Sequence, residues 1–479
     1  MNDQRARVPD RDLIIQSYAV LSLLQDRAPL PRRAELLSLL RPIRDQLIHS
    51  LGTGIDLGDA TDAIVEYFQQ MEGTSLGIAS ARTLRRRTSP EVISDIIAKS
   101  TESPRPREPG RPLPPGHWVA VDDVSEEVPL LLRHEGAYVP APLPADVALP
   151  AATYRVLAET EHVLGRLDQA VHRLPDRQVF SLVQCIRDAR DDKNPASLIL
   201  PLIDDRSAMP QPVGGFVTAA EYGAKRAASG APVDAELMAE INAILTGRHG
   251  LRTHQGWLSP GAAEHAYLLT ATGSHLVAML EQWSTWTRSE SSLPRLAKIA
   301  LAHHQLEVLQ PFPTANGHVA RLYTALEMIG TGLLADHLLP LSDWYDDHRA
   351  EYHRRIRDLV SGGPVHRWVE FFANGVRDTA LAQLRLIEEL ERLRTDLLRH
   401  VPASPAVARV VSGLVTGPAV THRMLETRYG LSSRTSAQII RHLVQHRVLT
   451  VFPRRHTQKI FVCYLALDLL TFGYTGGKP

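Results

Sequence analysis

The chain has 479 residues, 44% apolar and 22% charged, the balance of a globular protein and room for about three domains at roughly 100–200 residues each. Cys185 and Cys463 stand far apart without CxxC or Cys/His spacing, which argues against a disulfide framework or a zinc site and leads us to expect a reducing cytoplasm. The N-terminal MNDQRARVPDRDL lacks an apolar core and no stretch approaches the roughly 20 apolar residues of a membrane span, so no membrane partner is expected.

Formal net charge is zero, yet residues 401–479 hold ten Lys or Arg against Glu426 and Asp468, leaving 43 basic and 51 acidic residues before them. A basic end on a mildly acidic body suits a polyanion. Residues 1–100 read as a helical region, with Leu36, Leu37, Leu39, Leu40, Ile43 and Leu47 at helical period and Gly52 and Gly54 closing the segment. The stretch 101–116 contains six prolines and opens a Pro-rich linker with short strands over 101–150. Within it, HWVAVDD and residues 128–132 predict a strand pair. From 151 to 395 helical periodicity dominates, predicting helices over 154–167, 177–190, 232–246, 272–285, 296–309, 318–329, 343–360 and 365–394. The fold class is therefore mainly α.

The central pair carries the candidate chemistry. Leu296, Ile299, Ala300, Leu306 and Leu309 share one face of the first helix, and Pro311 and Pro313 stop it. The loop 310–318, QPFPTANGH, leads into a second helix with Val319, Leu322, Tyr323, Leu326 and Ile329 on one side. Asn316-Gly317 falls at its start, where unpaired backbone N–H groups and the helix dipole suit a phosphate. Arg321, one turn inside, adds a cationic bidentate donor. By spacing alone most such loops are only helix caps.

The run 302–328, AHHQLEVLQPFPTANGHVARLYTALEM, resembles the core of Fic proteins, whose signature is HPFx(D/E)GNGRxxR after a helix ending aHyxFExI. Residues 340–376 are similar to the segment that follows that core, and 157–167 with 187–189 resemble the helical part before it. Over 151–395 the resemblance implies a Fic-type helical bundle with a small β-hairpin flap. In Fic AMP transferases the motif histidine is the general base and the acidic residue holds Mg²⁺. The Gly-Asn-Gly backbone and the two arginines hold the nucleotide phosphates. This sequence keeps Pro311, Phe312, Asn316, Gly317 and Arg321, but places Gln310 at the base, Thr314 at the metal carboxylate, Ala315 at the first glycine and His318 at the first arginine.

These exchanges change the chemistry. An amide takes up no proton at neutral pH, and losing a general base costs about 10²- to 10⁴-fold. A threonine is a weak ligand for a hard dication, so no metal, Mg²⁺ included, is expected from this loop. The resemblance thus implies a degenerate motif without ordinary adenylyltransferase activity. Gln310 and His318 stand at its catalytic positions, and ATP or another nucleotide would be held by Asn316, Gly317, His318 and Arg321. The rival reading is a divergent Fic enzyme that transfers AMP or another phosphate-containing group to a hydroxyl, with His318, His303 or His304 as base. The restraining (S/T)xxxE(G/N) helix of many Fic proteins has no counterpart in RDDKNPASL, 190–198, where Pro195 interrupts any helix.

Residues 400–479 read as a winged helix-turn-helix: two short helices around Gly430-Leu431-Ser432, then a β-rich LTVFPRRHTQKIFVCYLAL. On the second helix Ser433, Arg434, Thr435, Gln438 and Arg441 are residue types that read base edges, and Arg454 and Arg455 sit in the wing loop. Winged helices also serve as protein-interaction modules, but the local charge excess favours DNA. The Fic resemblance agrees, because Fic proteins of this architecture often end in a winged helix. Paired DNA-reading helices lead us to expect a homodimer.

Overall fold

The computed structural model describes residues 116–121, 128–129, 132–133, 136–189, 198–199, 202–203, 211–261, 265–402, 404–452 and 459–472. The expected helical region 1–100, the linker up to 115 and residues 190–197 lie outside them. The chain divides into two compact units, Met1–Glu108 and Pro109–Pro479, and every described residue belongs to the second.

A four-stranded sheet of order β1-β2-β4-β3 comprises β1 (His117–Val119), β2 (Ala137–Val139), β3 (Gly256–Leu258) and β4 (Leu268–Thr270). The β3–β4 hairpin is antiparallel, β2 joins β4 in parallel, and β1 pairs antiparallel with β2. The expected strand at HWV forms, but its partner is Ala137–Val139 rather than 128–132. Val128 and Leu132 instead pack with Ala137, Val139 and Leu269 in a small apolar cluster; their apolarity serves packing, not pairing.

The helices of the body are α1 (Ala151–Ala170), α2 (Arg177–Ala189), α3 (Gln211–Ala228), α4 (Ala235–Thr246), α5 (Gly273–Arg288), α6 (Arg295–Leu309), α7 (Asn316–Gly330), α8 (Leu341–Asp347), α9 (Arg349–Val360) and α10 (Val365–His400). The mainly α expectation holds. The helix expected over 343–360 is broken at His348, whose ring stacks on Trp344 at 4.2 Å. Helix α3 escaped the periodicity because Pro212, Gly214, Gly215 and Gly223 dilute its apolar signal. Gly223 has a packing reason: a Cβ there would meet Leu326 Cδ1 at 2.5 Å and Ile241 Cδ1 at 2.9 Å, so α3 crosses α7 and α4 over a bare Cα.

Helix α6 is the axis of the core, buried from Leu296 to Leu309 except at Lys298. Trp283 and Trp368 flank it, their indole N–H groups donating to Ala302 O at 3.0 Å and Ala300 O at 2.7 Å. Beyond α10 the chain builds α11 (Pro405–Leu414), β5 (Ala419–Val420), α12 (His422–Tyr429), α13 (Ser433–Gln445), β6 (Thr450–Val451), β7 (Phe461–Val462) and α14 (Tyr464–Phe472). The three strands form an antiparallel sheet of order β5-β7-β6. The segment read as β-rich through Leu467 turns helical at Tyr464, because Ala466, Leu467 and Leu470 bury one helical face. Thr421 and Ser432 cap α12 and α13 through their hydroxyls, and Gly430 takes the left-handed turn between them (φ 67°). One apolar core runs continuously from Tyr138 through the body to Leu470, and an Arg428–Asp176 ion pair adds a polar tie.

Candidate functional site

Between α6 and α7 the backbone turns twice through the left-handed region, at Gln310 (φ 45°) and Ala315 (φ 63°). Neither is glycine, so each is strained and must be held by its surroundings. Asn316 holds the loop from within: its Oδ1 accepts from Phe312 N at 2.9 Å and its Nδ2 donates to Phe312 O at 2.8 Å. The expected phosphate-site asparagine is thus the loop's internal brace, leaving the start of α7 to present backbone N–H groups. From α4, Asn242 Nδ2 donates to Thr314 O at 2.9 Å.

The principal clamp is a residue that the periodicity does not reveal. Arg252, 8% exposed, donates from Nε to Gln310 O (2.5 Å), from Nη1 to His254 O (2.6 Å), and from Nη2 to Thr270 Oγ1 (2.7 Å), Ala271 O (2.7 Å) and Leu309 O (3.0 Å). Its own N–H donates to Pro311 O at 3.1 Å. Oxygens at the negative end of the α6 dipole replace a carboxylate as its partners. Burial lowers its pKa to about 10, so it stays cationic at neutral pH.

Gln310 does not face outward as a base would. Its Nε2 donates to Glu307 O at 2.8 Å and to Glu307 Oε2 at 3.2 Å. Glu307 is buried beneath the loop; burial pushes its carboxyl up, while Arg321, Tyr352 and Gln310 pull it down. A Cβ on Gly317 would stand 3.4 Å from Arg321 Nη1 and 3.7 Å from Glu307 Oε1, which places the helix start, the cation and this carboxylate together. In the sequence Glu307 is one letter of the Fic-like pattern, four residues ahead of the stopping Pro311.

His318 and Arg321 lie on one face of α7, with Arg321 Nη2 and His318 Nδ1 2.8 Å apart. The rings of His318 and of Phe216 on α3 meet in a T-shaped arrangement 5.5 Å between centres, and Phe216 meets His337 at 6.3 Å. Behind them Asp188 sits 3.2 Å from His337 Nε2 and accepts from Ser342 N at 2.8 Å. Burial pushes the Asp188 carboxyl up, but His337, Arg321 and Ser342 outweigh it and hold it below its ordinary range. Arg321 Nε is buried without a hydrogen-bond partner.

His303 and His304 belong to the core. His303 contacts Thr324 Oγ1 at 2.9 Å and Tyr352 OH at 2.9 Å, and burial drives it down to about 3. Burial likewise takes His304, 3.3 Å from Ile356 O, down to about 4. Among the described residues no group of three or more His, Cys, Asp or Glu could hold a metal ion. On α13, Ser433, Arg434, Gln438 and Arg441 are exposed and Thr435 is half-buried; Arg454 and Arg455 lie outside the described residues.

Fold and loop define a mainly helical protein centred on a braced helix-loop-helix, with an Asn-Gly helix start and an arginine one turn in. Residues 232–328 match the model of the Fic/DOC family. Among solved structures, the chain is similar to a Fic family protein from Desulfovibrio desulfuricans G20 at 17% identity and TM-score 0.42, covering 67% of this chain and 98% of that one. It is also similar to Fic-1 (residues 134–508) from C. elegans at 13% identity and TM-score 0.36, covering 80% and 99%. No helix among the described residues is long and apolar enough to cross a membrane.

Proposed function

We propose that this protein is a Fic-family regulator without ordinary AMP transfer. It retains a nucleotide-phosphate cradle at Asn316, Gly317, His318 and Arg321 and couples that cradle to a DNA-binding winged helix at its C-terminal end. The observation that carries the reading is Gln310, which stands at the position of the base but folds its amide back onto Glu307. An amide has no site that takes up a proton at neutral pH, and Thr314 offers a hydroxyl where a dication needs a carboxylate. Backbone N–H groups at the start of α7 and the Arg321 guanidinium are the chemistry that phosphate binding requires.

For DNA, the supporting observation is that Ser433, Arg434, Gln438 and Arg441 share the exposed side of α13, with Arg454 and Arg455 as phosphate contacts and a homodimer presenting two such helices. Calorimetric titration with ATP, with and without Mg²⁺, tests the first half. Micromolar binding abolished by Arg321→Ala is expected; absence of binding, or Mg²⁺-dependent AMP transfer by the parent protein, overturns it. Binding-site selection tests the second half. Arg434→Ala and Gln438→Ala are expected to cost about 1–3 kcal/mol each at the base they read, and failure to enrich any sequence overturns it.

A further inference from the structure

We infer that α13 selects a DNA half-site with two guanines about three base pairs apart on one strand and an adenine between them, Arg434 and Arg441 taking the guanines and Gln438 the adenine. The inference rests on the DNA-binding reading and names the sequence that such a helix selects.

Charge chooses the class of partner. Helix α13, SRTSAQIIRHLVQ, has no Asp or Glu. On the body, the exposed arginines Arg349, Arg354, Arg392 and Arg399 pair with Asp346, Glu351, Glu389 and Asp396. On α13, Arg434 and Gln438 are exposed and have no hydrogen-bond or ion-pair partner among the described residues. Arg441, also exposed, commits only Nε, to Ala437 O of its own helix at 3.3 Å. Two guanidinium groups held out without an acid suit a polyanion.

Geometry then orders the contacts. At about 100° per residue, Arg434, Gln438 and Arg441 fall within roughly 60° of one another around the helix axis. Ser436, Ile439, Ile440 and Leu443 bury the opposite side. Ser433 and Thr435 stand about 100° to either side of Arg434, and Thr435 Oγ1 is already 2.8 Å from the capping Ser432 Oγ. The structure thus narrows the base-reading set to three side chains. Along the axis Gln438 lies about 6 Å and Arg441 about 10 Å beyond Arg434. With base pairs stacked at about 3.4 Å, seven residues of helix match about three base pairs. Gln445 ends the stripe about 16 Å from Arg434, beyond the four base pairs that the other three span.

Chemistry assigns the bases. The major groove admits a helix, and guanine offers it two acceptors, O6 and N7, which an arginine fork fills with two N–H groups. Adenine offers one acceptor and one donor, N7 and the N6 amine. An arginine has no acceptor for that amine, whereas a glutamine amide supplies one donor and one acceptor. The order Arg, Gln, Arg on one stripe therefore reads guanine, adenine, guanine.

The test is selection of bound duplexes from a randomised pool by the full chain, repeated with Gln438→Arg and Arg434→Ala. We expect the parent to enrich the two guanines at this spacing with adenine between them. Gln438→Arg should convert the adenine to guanine and leave its neighbours unchanged. Arg434→Ala should erase the preference at one guanine and weaken binding to the parent's site by about 5- to 150-fold; it decides the matter if Gln438→Arg does not fold. An enriched sequence without this spacing, or variants that select the parent's sequence unchanged, overturn the inference and leave the DNA-binding reading standing. Enrichment of no sequence by the parent removes both.

Discussion

Arg252 holds the α6–α7 loop in its observed conformation, and its removal has a calculable cost. The guanidinium serves five oxygens, two of them on Leu309 and Gln310 where α6 ends. Lysine keeps the charge but is a point donor with three N–H groups and no fork. It leaves at least two buried acceptors unserved, and each costs about 1–3 kcal/mol. Arg252→Lys should therefore destabilise by about 2–5 kcal/mol, and Arg252→Ala by at least as much. The loss should concentrate at the loop, because Gln310 is left-handed without glycine's freedom and relaxes once its carbonyl is released. Urea unfolding gives the total; native-state hydrogen exchange at Phe312, whose amide donates to Asn316, reports the local part. The reasoning is refuted if Arg252→Lys stays within about 0.5 kcal/mol of the parent and the Phe312 amide exchanges at the same rate.

Three further outcomes are expected. Burial raises the Glu327 carboxyl from its ordinary 4.5 to about 7, with Lys298 opposing. A carboxyl whose folded pKa lies above its unfolded one contributes most below about pH 4.5 and loses that contribution as pH rises through 7. Glu327→Gln should hence be nearly neutral at pH 4.5 and stabilising by about 1–3 kcal/mol at pH 8.5, read from urea midpoints at both pH values. Ala315→Gly should stabilise by about 0.5–1 kcal/mol, since relief of the left-handed Cβ (φ 63°) exceeds the added chain entropy; a loss of stability would contradict the strain. Gly223→Ala should cost about 1–3 kcal/mol through contact with Leu326 and Ile241, and a neutral result would mean that α3 shifts freely over α7.

What the sequence made legible was what repeats at short range. The apolar stripes of α6 and α7, the prolines that stop α6 and the Asn-Gly before α7 were readable because each acts within one or two helical turns. Arg252 lies 58 residues from Gln310, and no local pattern distinguishes a surface arginine from one that gathers five oxygens. The bracing role of Asn316 was hidden for the same reason: an asparagine at a helix start reads equally as a cap, a phosphate ligand or a loop brace. Helix α3 was lost because its glycines serve packing against neighbours distant in sequence, which periodicity cannot register.

The coupling proposed between cradle and DNA requires a material connection, and contacts among the described residues offer a route for one. Helix α6 carries the loop and is bonded to α10 through Trp368 and Ala300 O at 2.7 Å. Helix α10 continues unbroken for 36 residues to His400, and just beyond it His442 of α13 donates to Pro402 O at 2.9 Å. The Arg428–Asp176 pair holds α12 against the segment leading into α2, the helix that carries Asp188. A rearrangement at Arg321 that altered the Asp188–His337 pair would reach the C-terminal helices only through such contacts. Since coupling free energy is reciprocal, a nucleotide that changes DNA affinity through this route must have its own affinity changed by DNA in equal measure.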